Sequence, residues 1–483
     1  MLARLLEKSR LPGGALLALT AFVCLSPVKA QADIGHAQAV MLALLLICGG
    51  AALACRELTC ERRAALLMAA GLVMRFGYVW YTVYWVRQHD IGVWDSAQGL
   101  FVRGHAYYID HYVKHWLPPA EAFWQHHHPP LFHFLSGKLL ALLRLCGKGY
   151  HEAYESLQLM GAAVSGLIML VSYRVFRELE LKDGALIAAM AVICFHPTFF
   201  VLAGSLNNDN LMVLFVLWAF LLTLRWRKEP SVKTTVLLAL AIGLGMMTKL
   251  SAVLVTSVTA YVFCEKLAAK QGRETVVKRL MAFFSLCVPL GLWHTVYMAL
   301  RFKVAPGYVQ APGVSIYIGH YSLAHRFLYV PAEQFSFLPF CQIDTQVDNN
   351  VPMYIIKSSL FGEFRFAGAD FAATALVWVN IALIALSLAA MAYALAKRKG
   401  GLPCMLWCCH MAGYIGFNIA LPYICTMDFR YLVPSVLCGA GFLGIASAET
   451  RSMGLPGKLL RGSASAALIV FCALSVAFYL TVD

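Results

Sequence analysis

Between residues 87 and 155 the chain gathers nine of its fifteen histidines, together with Asp90, Asp95 and Asp110. A carboxylate there can take a proton from an attacking hydroxyl, while imidazoles and cations can hold an anionic leaving group. A second polar cluster, Ser205-Leu206-Asn207-Asn208-Asp209-Asn210, separates two apolar runs. Asn and Asp favour turns and helix caps, so the cluster reads either as a structural turn or as the place where Asp209 joins Asp90. Three cations, Arg75, Lys249 and Arg430, fall in or beside apolar runs, and Glu363, Arg365 and Asp370 close a second long polar stretch over 301 to 370. The triplet His126-His127-His128 suggests a metal. Adjacent residues of an extended loop point alternately, so at most two of the three share one ion, and no Cys or HExxH partner stands nearby.

These groups need elements to position them. Of 483 residues, 60% are hydrophobic and 13% charged, with a mean hydropathy of +0.69. Soluble domains average about 45–50% apolar and about 25% charged residues, so the sequence specifies an all-α polytopic membrane protein. A spanning helix needs roughly 20 apolar residues. Runs near 11 to 30, 36 to 55, 63 to 86, 156 to 174, 184 to 204, 210 to 225, 234 to 249, 250 to 265, 280 to 300, 371 to 396, 403 to 422, 431 to 448 and 462 to 480 give about thirteen spans. The stretch 234 to 265 is too long for one helix and breaks at Met247-Thr248-Lys249. Basic Arg4, Lys8 and Arg10 ahead of the first run also fit a signal peptide, whose removal leaves the other orientations unchanged.

The net charge of +14 would suit nucleic acid in a soluble protein. In a membrane chain it reports orientation. With the N-terminus cytoplasmic, 24 of the 39 Lys and Arg residues fall in short cytoplasmic loops, whereas the long stretches 87–155 and 301–370 hold only 11. Both long loops therefore face outward. The assignment requires residues 131 to 146, apolar but carrying His133, Lys138 and Arg144, to lie in the outer interface rather than cross. Asp90 and Asp209 then emerge on one face. Ionisable groups at membrane depth face a cavity or a partner; Lys249 and Arg430 sit at outer helix ends, where snorkelling is the alternative, and mid-helix Arg75 pairs within the bundle. The fifteen cysteines lie mostly in apolar runs and form no CxxC pair, which argues against a disulfide framework or metal ribbon.

Several of these pieces, in this order, resemble a known family. They are the acidic residue of the first outer loop, His-Pro-Pro-Leu (His128 to Leu131), the acidic turn at Asp209, Gly-Leu-Gly-Met-Met-Thr-Lys (243 to 249) and Arg-Tyr-Leu-Val-Pro (430 to 434). Together they resemble the protein O-mannosyltransferase-like branch of the GT-C glycosyltransferases, which also contains the lipid A aminoarabinose transferase. The resemblance spans roughly residues 63 to 450. It implies a GT-C-like bundle: extra helices over 1–62, a catalytic module over 63–300 with the outer loop 87–155, an extracytoplasmic loop over 301–370 that is either a substrate-covering lid or a rigid cap, and C-terminal helices over 371–483. It further implies an inverting transferase that takes a sugar from a polyprenyl-phosphate carrier at the extracytoplasmic face of the plasma membrane, with Asp90 as general base. Family members often pair that residue with a second acidic one; here, with His89-Asp90-Ile91-Gly92, the second carboxylate is either missing or supplied by Asp95.

The chemistry is consistent with that implication. A hydroxyl attacking an anomeric carbon needs a base, while a phosphate leaving group needs only charge stabilisation. Lys249, Arg430 and His128 are the candidates for that, with Arg offering bidentate contacts that Lys cannot. Asp209 would orient the acceptor or help bind a divalent metal, and Glu363 and Arg365 would face the site from the second loop. No cofactor is demanded by this scheme. No G-x-x-x-x-G-K-[ST] or strand-linked G-x-G-x-x-G motif is present, so activation comes from the lipid or an ion gradient. The expected partners are the lipid-linked donor, membrane lipids and an acceptor that is protein, lipid or glycan, with no nucleic acid. The competing readings are a transporter or flippase for an amphiphilic solute, and a non-catalytic envelope subunit. Against a transporter, no internal repeat is visible and the polar residues gather on one face.

Overall fold

The computed structural model describes residues 34–54, 58–85, 89, 104–269, 272–305, 307–309 and 314–482. The expected first span, 11 to 30, and the residues Asp90 and Asp95 lie outside them. The path begins with α1 (Ile34–Ala54), α2 (Cys60–Tyr81) and two helices of the first long loop, α3 (His105–Lys114) and α4 (Leu131–Leu145). It continues through α5 (Tyr150–Glu178), α6 (Asp183–Phe195), α7 (Thr198–Gly204), α8 (Asp209–Lys228), α9 (Val232–Thr248), α10 (Thr256–Ala268) and α11 (Arg273–Phe302). The second long loop holds α12 (Leu323–Leu328), α13 (Gln334–Phe337) and α14 (Val351–Phe361), and the chain ends in α15 (Asp370–Ala396), α16 (Gly401–Ala420), α17 (Pro434–Glu449) and α18 (Gly454–Thr481).

Among the described residues, eight helices are long and apolar enough to cross a membrane, or nine if α6 and α7, bent by 41° at His196-Pro197, count as one broken span. The expected run 11 to 30 lies outside the described residues, and the other expected spans that do not qualify separately have identifiable reasons. Helix α9 has only 17 residues, α16 carries His410 and Asn418 and is less apolar, and Pro434–Thr481 forms one helical run of 48 residues. That last run folds back on itself at Gly454, whose φ of 59° favours glycine. Arg430, just before α17, and Tyr479, near the end of α18, share one end of the bundle: Tyr479 donates to the Leu360 carbonyl, and the Ser358 hydroxyl accepts from the amide of Phe429. Glu449 and Arg451 lie at the other end, paired with Lys399 and Asp183.

Ion pairs mark this second end throughout. Glu178 takes Arg225 at 2.9 Å and Lys228 at 2.8 Å, and Arg227 meets Glu265 at 2.9 Å. All are half-exposed, so they orient side chains more than they stabilise the fold.

The fully buried Arg75 of α2 pins the broken span. Its guanidinium donates to the carbonyls of Ile193 (2.7 Å), Cys194 (2.8 Å) and Gly71 (2.9 Å), and its Nε to the Ser165 hydroxyl (2.8 Å). Two of those carbonyls end α6, where the bend frees acceptors and the helix dipole is negative. Arg75 thus pairs within the bundle, and its partner is a helix end rather than a carboxylate. Gly161 completes the arrangement, because a Cβ there would stand 2.4 Å from the Ala203 carbonyl oxygen. Only glycine lets α7 lie this close to α5.

The 15-residue α4 packs against α3, Lys138 donating to the His115 carbonyl at 2.9 Å, and is not among the spanning helices. Over 314–370 the second long loop is a packed cap. The Ile318 amide donates to the Pro422 carbonyl at 2.9 Å, and Phe340, Phe361, Phe366 and Phe478 form one aromatic cluster.

Candidate active site

Three chain breaks converge at one end of the bundle. At the first, the turn after α7 is fixed by its own amides. Asn207 Oδ1 accepts from the Asp209 amide at 3.2 Å, Asn208 donates to the Thr248 carbonyl at 3.0 Å, and Asn210 donates to the Gly161 carbonyl at 2.7 Å. The turn therefore has the structural role its composition suggests, and it also delivers Asp209, 1% exposed, to the first position of α8. A carboxylate there is stabilised by the helix N-terminus.

At the second break, after α9, Lys249 is extended (φ −157°, ψ 130°) and is followed by a 3-10 turn over Leu250–Val255. Its ammonium is ion-paired with Asp209 and stands 4.5 Å from the centre of the Tyr431 ring. The third break, between α16 and α17, carries Arg430 and Tyr431. The buried Arg430 guanidinium donates to the Tyr431 hydroxyl at 3.2 Å and lies 5.0 Å from that ring. Asp209, Lys249, Tyr431 and Arg430 thus form one chain of contacts, and neither cation snorkels away.

His128 closes the first long loop against this group, its ring 3.5 Å from the Asn208 amide nitrogen. Burial, reinforced by His127, His105 and Lys249, holds its pKa well below the usual imidazole range. At neutral pH it offers a hydrogen bond and no charge. Behind it His105 and His133 bond ring to ring at 2.9 Å.

A cavity of about 330 Å³ opens beside these residues. Leu250, Val253, Leu254, Met298, Val304 and Phe417 give it an apolar wall, and His128, Lys249 and Tyr431 give it a polar edge.

A second cluster was not legible as a site in the sequence. His89, Asp428 and Glu363 come from three separate loops; His89 Nδ1 stands 3.3 Å from Asp428 Oδ2 and 3.8 Å from Glu363 Oε2. Burial opposes a charge on His89, but Asp428, by charge and hydrogen bond, and then Glu363 outweigh it and hold its pKa above the ordinary value. Asp428 is correspondingly held low: burial is overcome by His89 and then Arg430. The only hint in sequence is Asp428 two places before Arg430, where its Oδ1 accepts the Arg430 amide at 2.8 Å. Among the described residues this is the one group of three potential metal ligands with mutually close donor atoms; the histidine triplet forms none.

Glu363 is therefore brought to the site end. The exposed Arg365 is not: its guanidinium donates to the carbonyls of Cys341 (3.3 Å) and Gln342 (2.6 Å).

No curated protein matches the chain. Among solved structures, it is similar to the archaeal oligosaccharyltransferase AglB from Archaeoglobus fulgidus in complex with an inhibitory peptide and a dolichol-phosphate, with 12% identity over 86% of this chain and a TM-score of 0.46. The apo form of the Archaeoglobus fulgidus oligosaccharyltransferase gives 13% identity over 87% of this chain and a TM-score of 0.44. The chain spans about half the length of these structures, 55% and 56%. Residues 127–293, which carry His128, Asp209 and Lys249, match the family model described as dolichyl-phosphate-mannose-protein mannosyltransferase.

Proposed function

We propose that this chain is an inverting glycosyltransferase that moves a sugar from a polyprenyl-phosphate carrier to an acceptor at the extracytoplasmic face of the plasma membrane, with Asp90 as general base. The observation that carries this reading is the apolar cavity edged by Lys249 and Tyr431. A prenyl tail needs an apolar groove, its phosphate needs a cation at the groove's polar edge, and this cavity offers both. The match of residues 127–293 to a family described by a lipid-phosphate sugar donor supports a glycosyltransferase. The charge pattern supports the face, since the ion-paired basic loops lie at the end opposite the site.

In this scheme the acceptor hydroxyl attacks the anomeric carbon as Asp90 takes its proton. The C–O bond to phosphate breaks on the opposite side of the carbon, so configuration inverts. The phosphate departs as a weak base, needing no proton, and Lys249 with Arg430 offsets its charge. Asp209 holds Lys249 in place before donor arrives and orients the acceptor, while His128 donates a neutral hydrogen bond. The cap over 314–370 screens the site from water.

The test is transfer by the purified protein in lipid. Polyprenyl phosphate should appear from a labelled polyprenyl-phosphate sugar in proportion to glycosylated acceptor. Movement of the lipid-linked sugar across a vesicle membrane with no bond broken would replace this reading with a flippase.

A further inference from the structure

We propose that Arg326 of α12 forms a binding site for the phosphate of a membrane phospholipid, in the leaflet at the site end of the bundle. A guanidinium is always charged and carries five N–H donors. Arg326 is 3% exposed, yet its hydrogen bonding among the described residues is a single contact, from Nη2 to the Asn418 carbonyl. Nε is sealed from solvent without a partner. No carboxylate is among the groups that act on its charge; the one that does is Tyr317, a neutral phenol at pH 7.

Arg75 shows what a satisfied buried guanidinium requires in this fold, because its nitrogens are spent on three carbonyls and a hydroxyl. Buried polar groups are nearly always paired, and a buried charge needs a counter-charge or a full set of hydrogen bonds. The end of α16 supplies part of this to Arg326, since the last carbonyls of a helix are free and its dipole is negative there. One carbonyl still leaves Nε and Nη1 without an acceptor among the described residues. An oxyanion provides charge and acceptor together.

The place of Arg326 selects the anion. Asn418 lies in the last turn of α16, and the Ile318 amide donates to the Pro422 carbonyl just beyond it. Helix α12 is thereby held at the level where α16 ends and the spanning run from Pro434 begins. Ile415 and Ile419, four residues apart on one face of α16 beside Asn418, are exposed, as are Leu323 and Leu328 of α12. Tyr317 and Tyr329 are exposed too, and their amphipathic rings suit a membrane–water interface. Apolar side chains around a cation at headgroup depth fit the acyl chains and phosphate of one lipid. A soluble anion would leave those apolar groups in water. A seated lipid would join the cap to α16. The site shares no residue with the sugar-transfer scheme and does not depend on it.

Full-length protein in detergent, stripped of co-purified lipid, should unfold at a higher temperature as dioleoylphosphatidylglycerol is added. Native mass spectrometry should retain one such lipid per chain. Arg326→Met keeps the stem and removes the buried charge, while Arg326→Gln can still reach the Asn418 carbonyl. Each should weaken the lipid at least tenfold, read from the concentration that gives half the shift. Arg365→Gln, in the same cap, should match the parent, because the Arg365 guanidinium is spent on loop carbonyls. A parent protein with no lipid-dependent shift overturns the proposal, as does a parental affinity in the Arg326 variants or an equal loss in Arg365→Gln. Dioleoylglycerol, which lacks the phosphate, should give no shift; a full shift from it would make the contact apolar only and overturn the proposal. A full shift from inorganic phosphate at the same concentration would overturn the lipid in favour of a free anion. No donor or acceptor is present in these measurements, so their failure is separate from any failure of transfer.

Discussion

The ammonium of Lys249, at the break after α9, is ion-paired with the carboxylate of Asp209, the first residue of α8. The two are 40 positions apart and their side chains are 11% and 2% exposed, so each is the other's main compensation in a nearly dry environment. Removing one partner of such a pair costs about 3 kcal/mol or more, whereas removing both is nearly neutral. Lys249→Met should therefore lower the unfolding temperature in detergent, and Asp209→Asn added to it should recover most of the loss. Additive destabilisation in the double variant would show that the two residues are not coupled.

The same lysine faces the cavity, which separates its binding role from its structural one. In Lys249→Met with Asp209→Asn, stability is largely restored but the cation is gone. The apparent affinity for a polyprenyl-phosphate sugar should still fall at least tenfold, read as KM in the transfer assay. An unchanged KM would move the phosphate contact to Arg430 alone.

Asp90 is expected to act on the chemical step. Asp90→Asn should reduce kcat about 10²- to 10⁴-fold, the usual worth of a general base, and leave donor KM and the unfolding temperature near the parent values. A matching loss of donor binding with kcat preserved would instead make it a substrate contact.

The cavity wall makes a length-dependent prediction. Leu254 contributes to the apolar side of the cavity, and Leu254→Trp would occupy that space. The substitution should raise KM for a long-chain prenyl donor several-fold while sparing a short-chain analogue. Equal effects on both donors would place the tail elsewhere.

What was legible in the sequence follows from range. Apolar runs and the placement of Lys and Arg reveal spans because each helix is limited by the bilayer thickness, a local constraint. The break at Lys249 was visible too, since a mostly apolar stretch of 32 residues from 234 to 265 is too long for one straight span. The broken span at His196-Pro197 was not separated from an ordinary helix, because its bend is held by Arg75 from another helix. The convergence of Lys249 and Arg430 on Tyr431 and the assembly of His89, Glu363 and Asp428 depend on loops up to 339 residues apart in sequence, counting from His89 to Asp428. No periodicity encodes such a meeting. Arg365, which shares its stretch with Glu363, shows the converse: two residues apart, one joins the cluster and the other binds loop carbonyls.

Acid should loosen the first long loop through its buried histidines. His126 packs against Phe123 and Phe302, and burial, with smaller contributions from His111 and His127, lowers its pKa to about 4. His128 is lowered in the same direction. A histidine whose folded pKa lies below its unfolded value near 6.5 is protonated first in the unfolded chain. The associated stability is thus complete above about pH 6.5 and is lost as pH falls from there towards about 4, with a limiting slope of about 1.4 kcal/mol per pH unit for each such group. The unfolding temperature in detergent should fall across that window. His126→Phe, whose ring keeps the aromatic packing and cannot titrate, should make the decline shallower. A midpoint that is flat between pH 7 and pH 5 would mean that these histidines already reach solvent in the folded protein.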